Sequence, residues 1–158
     1  MMASDLIRLC AILFVALALV PVGAHLAELP NKIGLPPEQY MLAQRLYSGW
    51  ALFGIAILAA LLFTAAHTVL VRNNAGAFIF SLMAFVCLAA TQVIFWLFTY
   101  PMNVASANWT QTPEPFEAAR RQWEYSHAAA AVLTFIALIA IVLSLLREGR
   151  HPKARPLR

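Results

Sequence analysis

The chain has 158 residues, 62% hydrophobic and only 11% charged, with a mean hydropathy of +0.74. A soluble domain carries about 25% charged residues, so this composition excludes an ordinary soluble fold and points to an all-α integral membrane protein. The formal net charge of +4 falls largely in a C-terminal tail, which reads as a topology anchor near anionic lipid and not as a nucleic-acid surface.

Four apolar stretches, Leu6–Leu26, Trp50–Val71, Ala77–Tyr100 and Ala128–Leu146, are each near the roughly 20 residues that cross a hydrocarbon core. They fill most of the chain and leave one domain, 1–158, with no separate soluble module. The first predicts a helix over about 6–29. Val22-Gly23-Ala24 looks like the cleavage end of a leader, but Asp5 beside Arg8 weakens that alternative. Pro30 and Leu35-Pro36-Pro37 are expected to break this helix, and Gln39–Tyr47 to lead back into the membrane. The second helix is expected over about 47–71, with Gly49, Gly54, Ala59 and Ala60 allowing close helix packing. Asn73-Asn74-Ala75-Gly76 reads as a tight turn. The third helix is expected over about 77–100 and to be broken at Pro101. A long connection containing Asn108, Trp109 and Pro113-Glu114-Pro115 leads to the fourth, about 116–146. Residues 147–158 form the basic tail.

If both termini share one side, that side holds seven basic residues: Arg8, Arg72, Arg147, Arg150, Lys153, Arg155 and Arg158. The other holds four: Lys32, Arg45, Arg120 and Arg121. The excess predicts cytoplasmic termini and an up-down-up-down four-transmembrane-helix bundle. Cys10 and Cys87 lie in apolar helices and no Cys-x-x-Cys occurs, so thiol–disulfide chemistry has no reagent here.

The polar residues converge at the other end. His25 and Glu28 close the first helix, and Glu124 and His127 open the fourth. A three-residue step places carboxylate and imidazole on one helix face, and ionisable groups at a membrane edge are functional candidates. By ligand type, His25, Glu28, Glu124 and His127 suit iron, copper or zinc. The same residues also suit metal-free acid–base chemistry, with His127 as base and Arg120 stabilising an oxyanion. Glu117 and Arg121, four apart, read as a solvated pair. Gln92, Trp96, Tyr100 and Asn103 share a face of the third helix. Gln92 and Trp96, with Trp109 and Trp123, are candidates for holding a flat aromatic or quinonoid molecule, although glue between helices and an aromatic belt explain several of them equally well. His67 reads as a packing residue. No flavin or nicotinamide fingerprint is present.

The pattern Tyr100-Pro101-Met102-Asn103, then Trp109, then Arg120-x-x-Trp123-Glu124-x-x-His127, with His25 at the end of the first helix, resembles the anthrone oxygenase-like family of small four-helix membrane proteins, which has many bacterial members. The resemblance implies an inner (plasma) membrane oxygenase that converts a ring methylene of a phenolic anthrone-like substrate to a quinone carbonyl with dioxygen and no organic cofactor. It places the chemistry on His25, Asn103, Arg120, Trp123, Glu124 and His127. The partners expected are membrane lipid, a small hydrophobic aromatic substrate and a second copy in a homo-oligomer. The competing reading is a non-catalytic binding or accessory subunit for a lipid, haem or partner complex.

Overall fold

The computed structural model describes residues 2–149. The basic tail beyond Gly149 lies outside the described residues. The fold is all-helical: α1 (Ala3–Lys32), α2 (Pro37–Gln44), α3 (Phe53–Leu70), α4 (Ala75–Ile94), α5 (Tyr100–Ala105) and α6 (Phe116–Glu148), and no strand occurs among the described residues. Four segments are long and apolar enough to cross a membrane: Ala3–Lys32, Trp50–Leu70, Ala75–Ala105 and Phe116–Glu148. They pack as α1 against α3 and α6, and α4 against α3 and α6.

The shared core is built from small side chains. Ala11, Ala60, Ala84, Ala137 and Ala140 are fully buried beside Val15, Leu88 and Ile141. Without a hydrophobic drive between helices in lipid, close approach of small residues supplies the packing. The larger apolar side chains, such as Leu13, Leu17, Ile55, Leu58 and Leu62, point outward and stay exposed, as lipid contact requires. At one end of the molecule Arg8 pairs with Glu148, and His67 Nδ1 lies 3.0 Å from Ser81 Oγ, which makes His67 the hydrogen-bonded packing residue expected. There the Ser144 hydroxyl donates to the Ala77 carbonyl at 2.7 Å.

Three elements depart from the sequence expectation. Pro30 does not end α1, which runs on to Lys32: proline removes one backbone donor near a helix end without forbidding the last turn. Pro101 does not end the third span either. A π-helical turn, Phe95–Thr99, precedes it; the Tyr100 N–H donates to the Phe95 carbonyl, and the helix resumes as α5 through Ala105. The second span is interrupted at its start. Gly49 adopts φ +86°, a left-handed conformation that favours glycine, between short 3₁₀ turns at Arg45–Tyr47 and Trp50–Leu52. Gly49 and Gly54 therefore do not mediate helix packing: a Cβ on either would meet nothing within 4 Å.

Candidate functional site

The continuation of α1 past Pro30 brings into play a residue that the break expected there left aside. His25, Glu28 and Lys32 are three and then four apart, so they share one helix face. That face meets α6, which presents Arg120, Trp123, Glu124 and His127 on successive turns. The result has two layers.

The outer layer is ionic. Lys32 is 4% exposed and Glu124 is 1% exposed, and their Nζ and Oε1 atoms are 3.1 Å apart. Tyr40 of α2 donates its hydroxyl to the same Oε1 at 2.7 Å. Burial, with the Glu124 carboxylate beside it, pushes the Tyr40 phenol well above its ordinary range, so Tyr40 remains a donor. Lys32 also donates to the Tyr47 hydroxyl at 2.9 Å and lies 3.6 Å from Glu28 Oε2; the Tyr47 hydroxyl in turn donates to Glu28. Arg120 sits beside this layer. It donates to the Leu35 carbonyl at 2.6 Å and to Glu117 at 2.6 Å. Its partner is thus Glu117, three residues before it, and not Glu124; Glu117 is likewise paired with Arg120 and not with Arg121.

The inner layer is a cavity of about 1060 Å³ bounded by α1, α3, α6, the α2–α3 connection and the π turn. His25 and His127 meet in its wall with ring centroids 4.5 Å apart. Trp123 packs on both, at 4.9 Å from His25 and 4.0 Å from His127. His127 Nδ1 lies 3.0 Å from the Trp123 carbonyl. A proton on Nδ1 satisfies that carbonyl and leaves Nε2 as the proton-accepting atom. The Trp123 indole N–H donates to Asn103 Oδ1 at 2.7 Å, which fixes the Asn103 amide on the resumed helix beyond the π turn. All four tryptophans of the chain, Trp50, Trp96, Trp109 and Trp123, line the cavity. Trp109 is delivered by a turn in which Ala107, Asn108 and Trp109 have φ of 47°, 55° and 60°. Three successive non-glycine residues in this region are strained. The Ser106 hydroxyl accepting from the Trp109 N–H at 3.0 Å helps hold them there.

Of the sequence candidates, His25, Gln92, Trp96, Asn103, Trp109, Trp123 and His127 line this cavity, whereas Glu28, Arg120 and Glu124 do not. The oxyanion role expected of Arg120 is not supported by its position: it does not line the cavity, and its two terminal nitrogens donate to Leu35 and Glu117. The metal set expected from His25, Glu28, Glu124 and His127 also separates: the imidazoles face the cavity, and the carboxylates are held around the Lys32 ammonium. Among the described residues no group of three or more His, Cys, Asp or Glu side chains is placed to hold a metal ion, so iron, copper or zinc does not fit this donor set. Lys32, Tyr40, Gln44 and Tyr47 were missed. The signal for Lys32 is its seven-residue spacing from His25; for Tyr40 and Gln44 it is their four-residue spacing in the short α2.

No family model, curated protein or solved structure matches this chain. The functional reading therefore rests on the geometry of the cavity.

Proposed function

We propose that this chain is an integral membrane oxidoreductase of the anthrone oxygenase kind, which takes a small flat aromatic or quinonoid molecule into its cavity from the lipid. The observation that carries this reading is the His25–His127 pair, 4.5 Å between centroids, set in a tryptophan-walled cavity of about 1060 Å³. Such a cavity has the size and apolar lining of a small-molecule site. In the proposed step His127 Nε2 takes a proton from a phenol or activated ring methylene, and the Asn103 amide donates to the oxygen on which charge develops. The carbon then forms a bond to dioxygen, and loss of water leaves a carbonyl. One methylene and one dioxygen become one carbonyl and one water, so the substrate itself supplies all the electrons. The orientation proposed is up-down-up-down with both termini cytoplasmic and the cavity at the outer face of the plasma membrane. The seven-to-four basic excess supports it, as does the Arg8–Glu148 pair, which joins the start of α1 to the end of α6.

The test is oxygen consumption by the purified protein in nanodiscs with an anthrone substrate. His127→Ala is expected to lower turnover by at least about a hundredfold with an unchanged helical signal. Normal turnover by that variant would sink the assignment. A second reading, a binding or accessory subunit for a lipid, haem or partner, draws support from the capture of both carboxylates by Lys32, which leaves the imidazole pair without an acidic partner. It predicts bound hydrophobic ligand without turnover in either protein.

A further inference from the structure

Among the described residues, only two of the four spans line the cavity with exposed residues. On α1 and α6 the lining residues, Pro21, Val22, His25, Trp123, His127 and Ala130, are buried or half-buried. On the second and third spans Gly54, Leu58 and Trp96 line the cavity and are exposed, Leu58 by 65% and Trp96 by 58%. Both large side chains also belong to outward faces. Ile55, Leu58 and Leu62 are three and four apart on α3, and Val86, Val93 and Trp96 are seven and three apart on the third span. Each set therefore shares a helix face, and all six are exposed. Leu58 and Trp96 thus stand where the cavity wall meets the outward surface. The seam between α3 and α4 is closed towards its other end. There the Ser81 hydroxyl lies 3.0 Å from His67 Nδ1 and 2.7 Å from Thr68 Oγ1, and Ala60, Ala84 and Leu88 are buried in the shared core. A different opening is polar: Arg45, Ser48, Asn108 and Thr110, all in connections between spans, line the cavity and are exposed.

We infer that the cavity opens sideways between α3 and the third span, and that Leu58 and Trp96 flank an entrance for a flat apolar molecule dissolved in the lipid. Such a molecule is far more concentrated in lipid than in water, so the route bordered by apolar side chains is the one that serves it. The polar opening is the competing route. Gly54 sets the width of the lateral entrance. It lies one turn from Leu58 on α3 and lines the cavity, and a Cβ there would meet nothing within 4 Å. A side chain grown at Gly54 therefore projects into open space and narrows the passage without displacing a neighbour. Side chains that border an entrance control how fast a site fills. This inference rests on the reading of the cavity as a site for a small flat aromatic molecule, and adds the way in.

The experiment times the reaction of a cysteine in the cavity wall with N-pyrenylmaleimide, a flat apolar reagent that becomes fluorescent when a thiol adds to it. The full chain is held in nanodiscs, with Ala130→Cys in a background lacking Cys10 and Cys87; Ala130 lines the cavity on α6. This cysteine is expected to label. Gly54→Leu is expected to slow labelling several-fold, and Leu58→Ala to quicken it several-fold. Leu62→Ala, one turn along the same outward face and outside the cavity lining, is expected to change nothing, and so is Thr110→Leu at the polar opening. In SDS all variants should label at one rate, which shows that the differences report access and not thiol reactivity. Labelling that neither Gly54→Leu nor Leu58→Ala alters, or that Thr110→Leu slows as much as Gly54→Leu does, overturns the lateral entrance while leaving the aromatic-ligand reading in place. A cysteine that labels in SDS but not in the folded protein overturns both.

Discussion

Lys32 is the residue on which the outer layer turns. It is almost wholly buried with Glu124, and Tyr40 and Tyr47 add hydrogen bonds from both sides. Removing one partner of a buried pair leaves an uncompensated charge, at a cost of about 3–5 kcal/mol. Lys32→Met is thus expected to destabilise the protein by about that amount, read from unfolding in mixed micelles. Adding Glu124→Gln should recover most of the loss, because the orphaned charge is gone. No recovery in the double variant would show that Lys32 contributes through its other partners. Trp123 offers a second test at this scale. Its indole N–H has Asn103 Oδ1 as partner, so Asn103→Leu is expected to cost about 1–3 kcal/mol and to lower turnover as well, whereas a purely structural Asn103 would change stability alone.

Among the elements, the connection from α1 to α3 forms the outer rim of the cavity, and Arg120 is the side chain that ties its start to α6 through the Leu35 carbonyl. Arg120→Met is expected to loosen this connection without unfolding the helices. Limited trypsin digestion checks it, because Arg45 in the connection is exposed: cleavage after Arg45 should quicken several-fold while the helical content holds. Unchanged cleavage would show that Tyr40 and its aromatic neighbours hold the connection alone. The π turn belongs to the same scale. Such turns recur at functional sites, and this one places Phe95, Trp96 and Thr99 on the cavity. Pro101 signalled an irregularity in the sequence, and the expectation of a break there was half right. The helix axis continues, but its hydrogen-bond register shifts by one residue before it does.

For the whole molecule the proposed orientation has a direct check. Single cysteines placed at Thr110 and at Asn73, both exposed, in a background lacking Cys10 and Cys87, are exposed to a membrane-impermeant maleimide on intact cells. Thr110→Cys is expected to label and Asn73→Cys to label only after lysis. The opposite pattern would place the termini outside and turn the cavity toward the cytoplasm.

Composition and hydropathy alone determined that the chain is helical and holds four segments long and apolar enough to cross a membrane, because a bilayer leaves an apolar segment of about 20 residues few alternatives to a helix. Local spacing also singled out four residues that the fold places on one cavity, His25, Asn103, Trp123 and His127, because helical periodicity places side chains on faces without reference to the rest of the fold. What spacing does not carry is which partner a charged side chain chooses. Glu124 stands within reach of His127, Arg120 and, across the helix interface, Lys32. Tertiary packing alone gave it to Lys32, since a buried carboxylate requires a permanent cation close by. The same packing sent Arg120 to a loop carbonyl, separated the carboxylates from the imidazoles, and brought Gln44 from a short helix outside the spans to the wall of the cavity.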